Sequence, residues 1–137
     1  MRRGAALILS IMIMSAFLAV AALTVKIVYN CYSGANAALV REQAFWLAEA
    51  GLEKGKVELA NNANWYTDQP YYLSDNVQWL VNFAVGEQAA FGEGQFKIVR
   101  EKGKNILYSI GSRGNGVVIL KLEFSNPPFT RLAWSEL

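Results

Sequence analysis

An uninterrupted apolar segment near the start of the chain restricts its possible folds more than any other feature. From Ala5 to Val25 there are 21 consecutive residues without a charge. At about 1.5 Å per residue, this segment forms a helix of roughly 30 Å, which matches the hydrocarbon thickness of a bilayer. After Lys26 the sequence has the composition of an ordinary water-soluble domain. The chain therefore divides into a candidate membrane span and a globular part.

The net positive charge lies at one end of the chain. There are 13 Lys and Arg against 11 Asp and Glu, and without Arg2 and Arg3 the balance is 11 to 11. A nucleic-acid-binding domain carries its positive surplus on the folded part, so nucleic acid is not an expected partner. Two arginines before the span, against Lys26 alone after it, favour a cytoplasmic N-terminus. The globular part is then extracytoplasmic.

The residue types that catalysis and metal binding most often use are scarce. Histidine is absent and Cys31 is the only cysteine, so no disulfide can form within the chain. Without histidine the chain lacks the commonest metal ligand and the usual general base near neutral pH. The sequence therefore predicts a protein that is not an enzyme, with no cofactor, no metal and no small-molecule substrate.

The segment after the span continues the helical pattern. Residues 35–60 contain no proline, and apolar residues recur there every three or four positions, which is the mark of one buried helix face: Val40, Ala44, Leu47, Ala48, Leu52 and Leu59. One helix is predicted from Ala5 to about Ala60, roughly 80 Å long. Gly34 and Gly51 are its weak points, each costing about 1 kcal/mol relative to alanine.

The remaining residues predict a loop followed by a small sheet. An aromatic-rich loop is expected over 61–94, with a short helix capped by Asp75 and ending near Phe83. Alternating apolar residues over 95–137 predict three antiparallel strands, at 95–101, 105–110 and 117–124, with Trp134 as a final edge and a break at 126–129. The fold class is α+β, in which the amphipathic part of the helix (26–60) covers the sheet.

Two motifs resemble a known family. The chain opens with MRRG followed by AALILSIMIMS, which is similar to the leader and cleavage site of type IV prepilin-like proteins. Residues 44–59 read AFWLAEAGLEKGKVEL. This stretch resembles the AxxxAEAGLExA signature of PilX-type minor pilins and of K-type minor pseudopilins of type II secretion. The resemblance covers about the first 60 residues. The stretch YSIGSRGNG is a weaker match, to a hairpin found in the sheets of these proteins.

The resemblance implies how the chain is processed and assembled. Residues 1–4 are then a leader that a prepilin peptidase removes after Gly4, and the new amino terminus on Ala5 is methylated. Major pilins carry a glutamate five positions past this glycine, where Leu9 stands here, so a minor subunit at a filament tip or an initiator is implied. Assembly through the helix is implied for Leu9 and for the signature residues Ala44, Ala48, Glu49, Ala50, Gly51, Leu52 and Glu53.

The implied setting is the bacterial inner membrane, crossed once, and a surface or periplasmic filament of a type IV pilus or a type II secretion pseudopilus. The expected partners are other pilin or pseudopilin subunits, the prepilin peptidase and the membrane. Two other interpretations remain open from the residues alone. One is a membrane-anchored extracytoplasmic binding protein, and the other is a secreted protein whose signal peptide is cleaved after Ala19-Val20-Ala21.

Several polar groupings have a functional and a structural interpretation, and the structural one is favoured. Glu49 and Glu53 share a helix face, as catalytic acids can, but nearby lysines favour a solvated charged face. Asp68, Asp75 and Asn76 could join a calcium site, but they lack the dense oxygen spacing of a calcium loop. Lys97, Arg100, Lys102 and Lys104 cluster on one hairpin that could hold the phosphate backbone of a nucleic acid. Because Glu93 and Glu101 intervene, an ordinary charged sheet edge is favoured.

Overall fold

The longest element of the structure is one helix at the start of the chain. The computed structural model describes residues 2–125 and 130–137, with side chains from Gly4 onward. Helix α1 runs from Arg2 to Asn61, which confirms the single long helix. It ends at the predicted polar cluster, where the Asn62 side chain accepts a hydrogen bond from the backbone N–H of Asn64 at 3.0 Å. The chain forms two units, residues 1–38 and 39–137.

The unit from residue 39 onward contains a five-stranded antiparallel sheet. Its strands lie in the order β1-β2-β3-β4-β5, so each strand pairs with its sequence neighbour. The bounds are β1 Glu87–Phe91, β2 Gly94–Val99, β3 Ile106–Arg113, β4 Gly116–Ser125 and β5 Thr130–Glu136, and a short helix, α2, covers Val77–Asn82. The predicted α+β class is confirmed.

Residues 39–61 of α1 lie across one face of this sheet, as the apolar spacing predicted. Ala44, Leu47, Ala48, Leu52 and Leu59 are buried in a core cluster with alternate residues of the strands: Phe96, Ile98, Leu107, Val118, Leu120, Leu122 and Phe124. Small residues at the contact let the two backbones approach closely. A Cβ added at Gly111 in β3 would lie 2.0 Å from the carbonyl oxygen of Ala44.

The opposite face of the sheet is also covered, which the sequence did not predict. A second cluster joins Leu80 and Ala84 of the α2 region to residues of β2, β3 and β4: Val99, Tyr108, Ile110 and Ile119. Consequently β2 is buried on both faces from Phe96 onward, although alternation predicted one solvated face. The sheet is the middle of three layers in this unit.

Several predicted boundaries were wrong in instructive ways. The described residues form five strands: β1 lies inside the predicted loop, and the final edge predicted at Trp134 is a full strand, β5. The strand predicted to end at residue 110 continues as β3 through Gly111 to a tight turn at Gly114, where φ is +51°. Helix α2 is capped by the side chain of Asn76, not by Asp75. The break predicted at 126–129 lies outside the described residues.

Candidate functional site: the assembly helix

The apolar part of α1 presents large hydrophobic side chains on every face. They are exposed from Leu7 to Tyr32, within the unit of residues 1–38. The serine and threonine hydroxyls of residues 5–25 are satisfied inside the helix: Ser10 donates to the carbonyl of Ala6 at 2.9 Å, Ser15 to that of Met12 at 2.8 Å and Thr24 to that of Val20 at 2.9 Å. The polar groups of residues 5–25 therefore need no water. Among the described residues α1 alone is long and apolar enough to cross a membrane.

The predicted processing residues lie in the first turns of this helix. Gly4 follows two residues after the helix start and has no atom within 4 Å of the position that a Cβ would occupy. Cleavage after Gly4 requires the first turn to open, and glycine lowers the cost of opening because it favours the helix least of the non-proline residues. Leu9 is 60% exposed. Because it is a leucine, the site contains no carboxylate at this position.

The signature residues divide into two sets. Ala44, Ala48, Gly51 and Leu52 are buried against the sheet of the same chain, so they hold α1 to its own sheet. A Cβ at Gly51 would lie 2.2 Å from the Ser109 Oγ. Much of the signature is therefore explained by close helix–sheet packing within one subunit.

The other signature residues remain accessible to a second molecule. Ala50 and Glu53 are exposed and Glu49 is half-buried. Along the same accessible face α1 also exposes large apolar side chains: Leu39, Trp46 and Val57. Trp46 and Ala50 line a shallow groove of about 270 Å³ with Phe91. This face of α1 is the part of the signature that a second molecule can reach.

The basic residues of the β2–β3 hairpin are mostly turned inward, which corrects the predicted charged sheet edge. The Lys97 ammonium donates to the carbonyl oxygens of Val81 and Ala84, at 3.0 and 3.1 Å. Lys104 pairs with Glu101 and donates to the Tyr71 carbonyl. Of the four basic residues, only Lys102 is exposed. These side chains fasten the loop after α1 to the sheet.

Two buried carboxylates complete this attachment of the loop. Asp68 accepts hydrogen bonds from the backbone N–H groups of Val85 and Gly86, at 2.6 and 2.9 Å. Glu101 accepts one from the N–H of Tyr71 at 2.9 Å. Asp68 is thus committed to backbone donors, and it does not converge with Asp75 and Asn76 on a common ligand. No group of three metal-ligating side chains occurs in the described part of the chain.

Asp75 has a different role from the predicted helix cap. Its φ of +58° places it in the left-handed region, and its carboxylate accepts hydrogen bonds from the Tyr108 hydroxyl and the Lys121 ammonium, both at 3.0 Å. The Lys121 hydrogen bond lowers the pKa of Asp75. Burial, followed by the Asp75 contact, raises the pKa of Tyr108 to about 12. This cluster holds the loop to the sheet at another point.

The carboxylates of α1, a serine of β3 and the glycines near the β3–β4 turn form no catalytic or phosphate-loop geometry. Glu53 pairs with Lys56 on the surface of α1, and the Ser112 hydroxyl only contacts the carbonyl of Gln95, at 3.4 Å. Gly111, Gly114 and Gly116 belong to the β3–β4 hairpin and do not precede a helix, so they form no phosphate loop.

Comparison of the chain with protein-family models, with curated proteins and with solved structures finds no match. The resemblance to pilin-like proteins therefore rests on the motifs in the sequence. Sequence reasoning also missed another close contact of α1 with the sheet. A Cβ at Gly55 would lie 2.6 Å from the Leu107 Cδ2, and the four-residue spacing from Gly51 was the available signal.

Proposed function

We propose that this chain is a minor pilin-like subunit, anchored in a bacterial inner membrane by the apolar part of α1 and assembled through that helix into a type IV pilus or a type II secretion pseudopilus. The observation that carries the proposal is the composition of α1. Residues 5–25 are apolar on all faces and exposed, and the same helix provides one buried face of the globular unit. An assembly ATPase elsewhere would drive extraction from the membrane.

The physical basis of assembly is an exchange of one apolar environment for another. In lipid the helix is stable because its backbone hydrogen bonds are internal. In a filament the same apolar surface contacts the helices of neighbouring subunits. An amino terminus buried there would need a carboxylate partner, and Leu9 supplies none. This supports a position at the tip or as initiator, where repeated docking along a shaft is not required.

Processing at Gly4 is tested by a matched pair of glycine substitutions in cells that contain the cognate peptidase. Gly4→Val places a branched side chain at the cleavage site, and we expect the uncleaved chain to accumulate. Gly34→Val is the control, because Gly34 also lies in α1 with open space around it. The mass of the N-terminal peptide reports cleavage.

The outcomes separate the proposal from its two rivals. Cleavage after Gly4 that is lost in Gly4→Val and kept in Gly34→Val supports a pilin-like subunit. A chain that keeps residues 1–4 in both variants and in the unaltered protein indicates a simple membrane anchor. A mature chain starting near Ala22 indicates a secreted protein and would overturn the proposal.

A further inference from the structure

A basic cavity beside the loop that follows α1 takes no part in the proposed assembly, and we propose that it binds a phosphate group. Its volume is about 410 Å³, and it is lined by Asn64, Tyr66, Arg100, Lys102 and Asn105 among others. It lies within the globular unit, next to the C-terminal end of α1. The inference goes beyond the proposed function and does not depend on it.

Arg100 supplies a buried positive charge without a matching carboxylate. Its side chain is only 5% exposed, and it donates to the carbonyl oxygens of Ala63 and Lys104, at 2.9 and 3.1 Å, and to that of Trp65. These carbonyls accept from three of the five N–H donors but do not neutralise the charge. No ion pair joins Arg100 to a carboxylate in residues 4–125 or 130–137, and residues 126–129 contain no Asp or Glu.

Lys102 adds a second cation at the same cavity. Its ammonium lies 5.4 Å from the centre of the Tyr66 ring, and it too has no ion pair within the described residues. The neighbouring Lys104 differs, because Glu101 neutralises it. Burial lowers the pKa of Arg100 because it disfavours the charged guanidinium. An anion bound beside Arg100 would offset this desolvation penalty. Two adjacent uncompensated cations match a doubly charged phosphate better than a single carboxylate or chloride.

The neutral residues of the cavity also fit a phosphate. Asn64 and Asn105 carry side-chain amide donors, and arginine presents several N–H groups in a geometry that suits phosphate oxygens. The Tyr66 ring forms an apolar wall that can contact the organic part of a phosphorylated molecule. The phosphate could come from inorganic phosphate or from the headgroup of a phosphomonoester lipid, since both present the same dianionic group.

The test uses the full chain in uncharged detergent micelles and follows the ³¹P NMR linewidth of inorganic phosphate at constant ionic strength. Lys102→Glu reverses one charge at the cavity. Arg131→Glu is the matched control, because Arg131 is likewise an exposed cation over an aromatic ring, 5.9 Å from the centre of Trp134. We expect binding that is kept in Arg131→Glu and about tenfold weaker or more in Lys102→Glu.

A second titration identifies the source of the phosphate. Short-chain phosphatidic acid, mixed into the same micelles, replaces inorganic phosphate. Binding that is more than about tenfold tighter than that of inorganic phosphate, and is weakened in Lys102→Glu but not in Arg131→Glu, assigns the site to a lipid headgroup. Equal binding of the two assigns it to free phosphate. The inference is overturned if the two variants bind alike, if chloride competes as well as phosphate, or if the unaltered chain causes no line broadening.

Discussion

Helix α1 contains two regions that share a helical backbone but differ in the burial of their side chains. Residues 5–25 are apolar on every face and all exposed, whereas residues 39–61 bury one face against a sheet and leave charged side chains on the other faces. None of the side chains of the first region is buried. The second is fixed by the core of the globular unit.

The difference teaches that a helix can be specified by its environment as much as by its propensity. In the proposed membrane setting, the backbone groups of the first region must pair internally because lipid offers no alternative. In the second, burial of an apolar face supplies the stability. The same residue type then has different consequences: Gly34 has open space around it, while Gly51 is in close contact with Ser109 and Phe96.

Alanine substitutions at these two glycines are the sharpest test of this difference. Gly51→Ala places a Cβ 2.2 Å from the Ser109 Oγ and 3.0 Å from Phe96 Cδ2, and we expect it to destabilise the globular unit by about 1–3 kcal/mol. Gly34→Ala should leave that unit unchanged and stabilise the local helix by up to about 1 kcal/mol. Denaturant unfolding in micelles, followed by tryptophan fluorescence, reports the globular unit alone, since all four tryptophans lie after residue 39.

A double substitution isolates the cause of the Gly51 effect. The Ser109 hydroxyl is buried without a hydrogen-bond partner among the described residues, so Ser109→Ala alone should be close to neutral. Combined with Gly51→Ala it removes the closest contact and should recover part of the lost stability. Equal unfolding midpoints for Gly51→Ala and Gly34→Ala would show that helix propensity, not packing, governs both positions.

An effect of at most similar size is expected from alkaline titration of the globular unit. The pKa of Tyr108 is raised from 10.0 to about 12, so the fold favours the neutral phenol. Its contribution is complete below pH 10 and is lost as the pH rises from 10 towards 12. The loss is roughly 2–3 kcal/mol at most. Residues 5–25 contain no titratable side chain, so their helix should persist while the tryptophan signal changes.

Tyr108→Phe provides the control for the alkaline experiment. It removes the phenol and its 3.0 Å hydrogen bond to Asp75 but leaves Lys97 and Lys121 in place, so any lysine contribution at high pH remains. We expect this variant to begin less stable by about 1 kcal/mol and to lose less stability between pH 10 and 12. An unchanged pH dependence would assign the alkaline loss to the lysines.

The α+β fold and the helix could be predicted because both depend on periodicity. Ala44, Ala48 and Leu52 recur at helical spacing, and all three are buried as expected. Strand β1 could not be predicted in the same way, because two of its residues, Ala89 and Ala90, have low strand propensity. It forms because β2 offers an edge for pairing.

The attachment of the loop after α1 depends on contacts that sequence spacing does not encode. Asp68 meets backbone donors 17 and 18 residues away, and Arg100 meets carbonyls up to 37 residues away. From the neighbouring sequence alone, charged side chains such as Asp68 and Arg100 could equally be expected in water. The capping residue of α2 was missed by one position, because Asp75 is drawn to Tyr108 and Lys121 across the loop.

The measurement that tests the account most directly is the intact mass of the chain isolated from membranes of a native host, with its first residue determined by fragmentation. The proposal predicts a chain that begins at Ala5, carries a methyl group on its amino terminus and still contains the apolar part of α1. A chain that begins at Met1, or one that has lost residues 5–21, would contradict it.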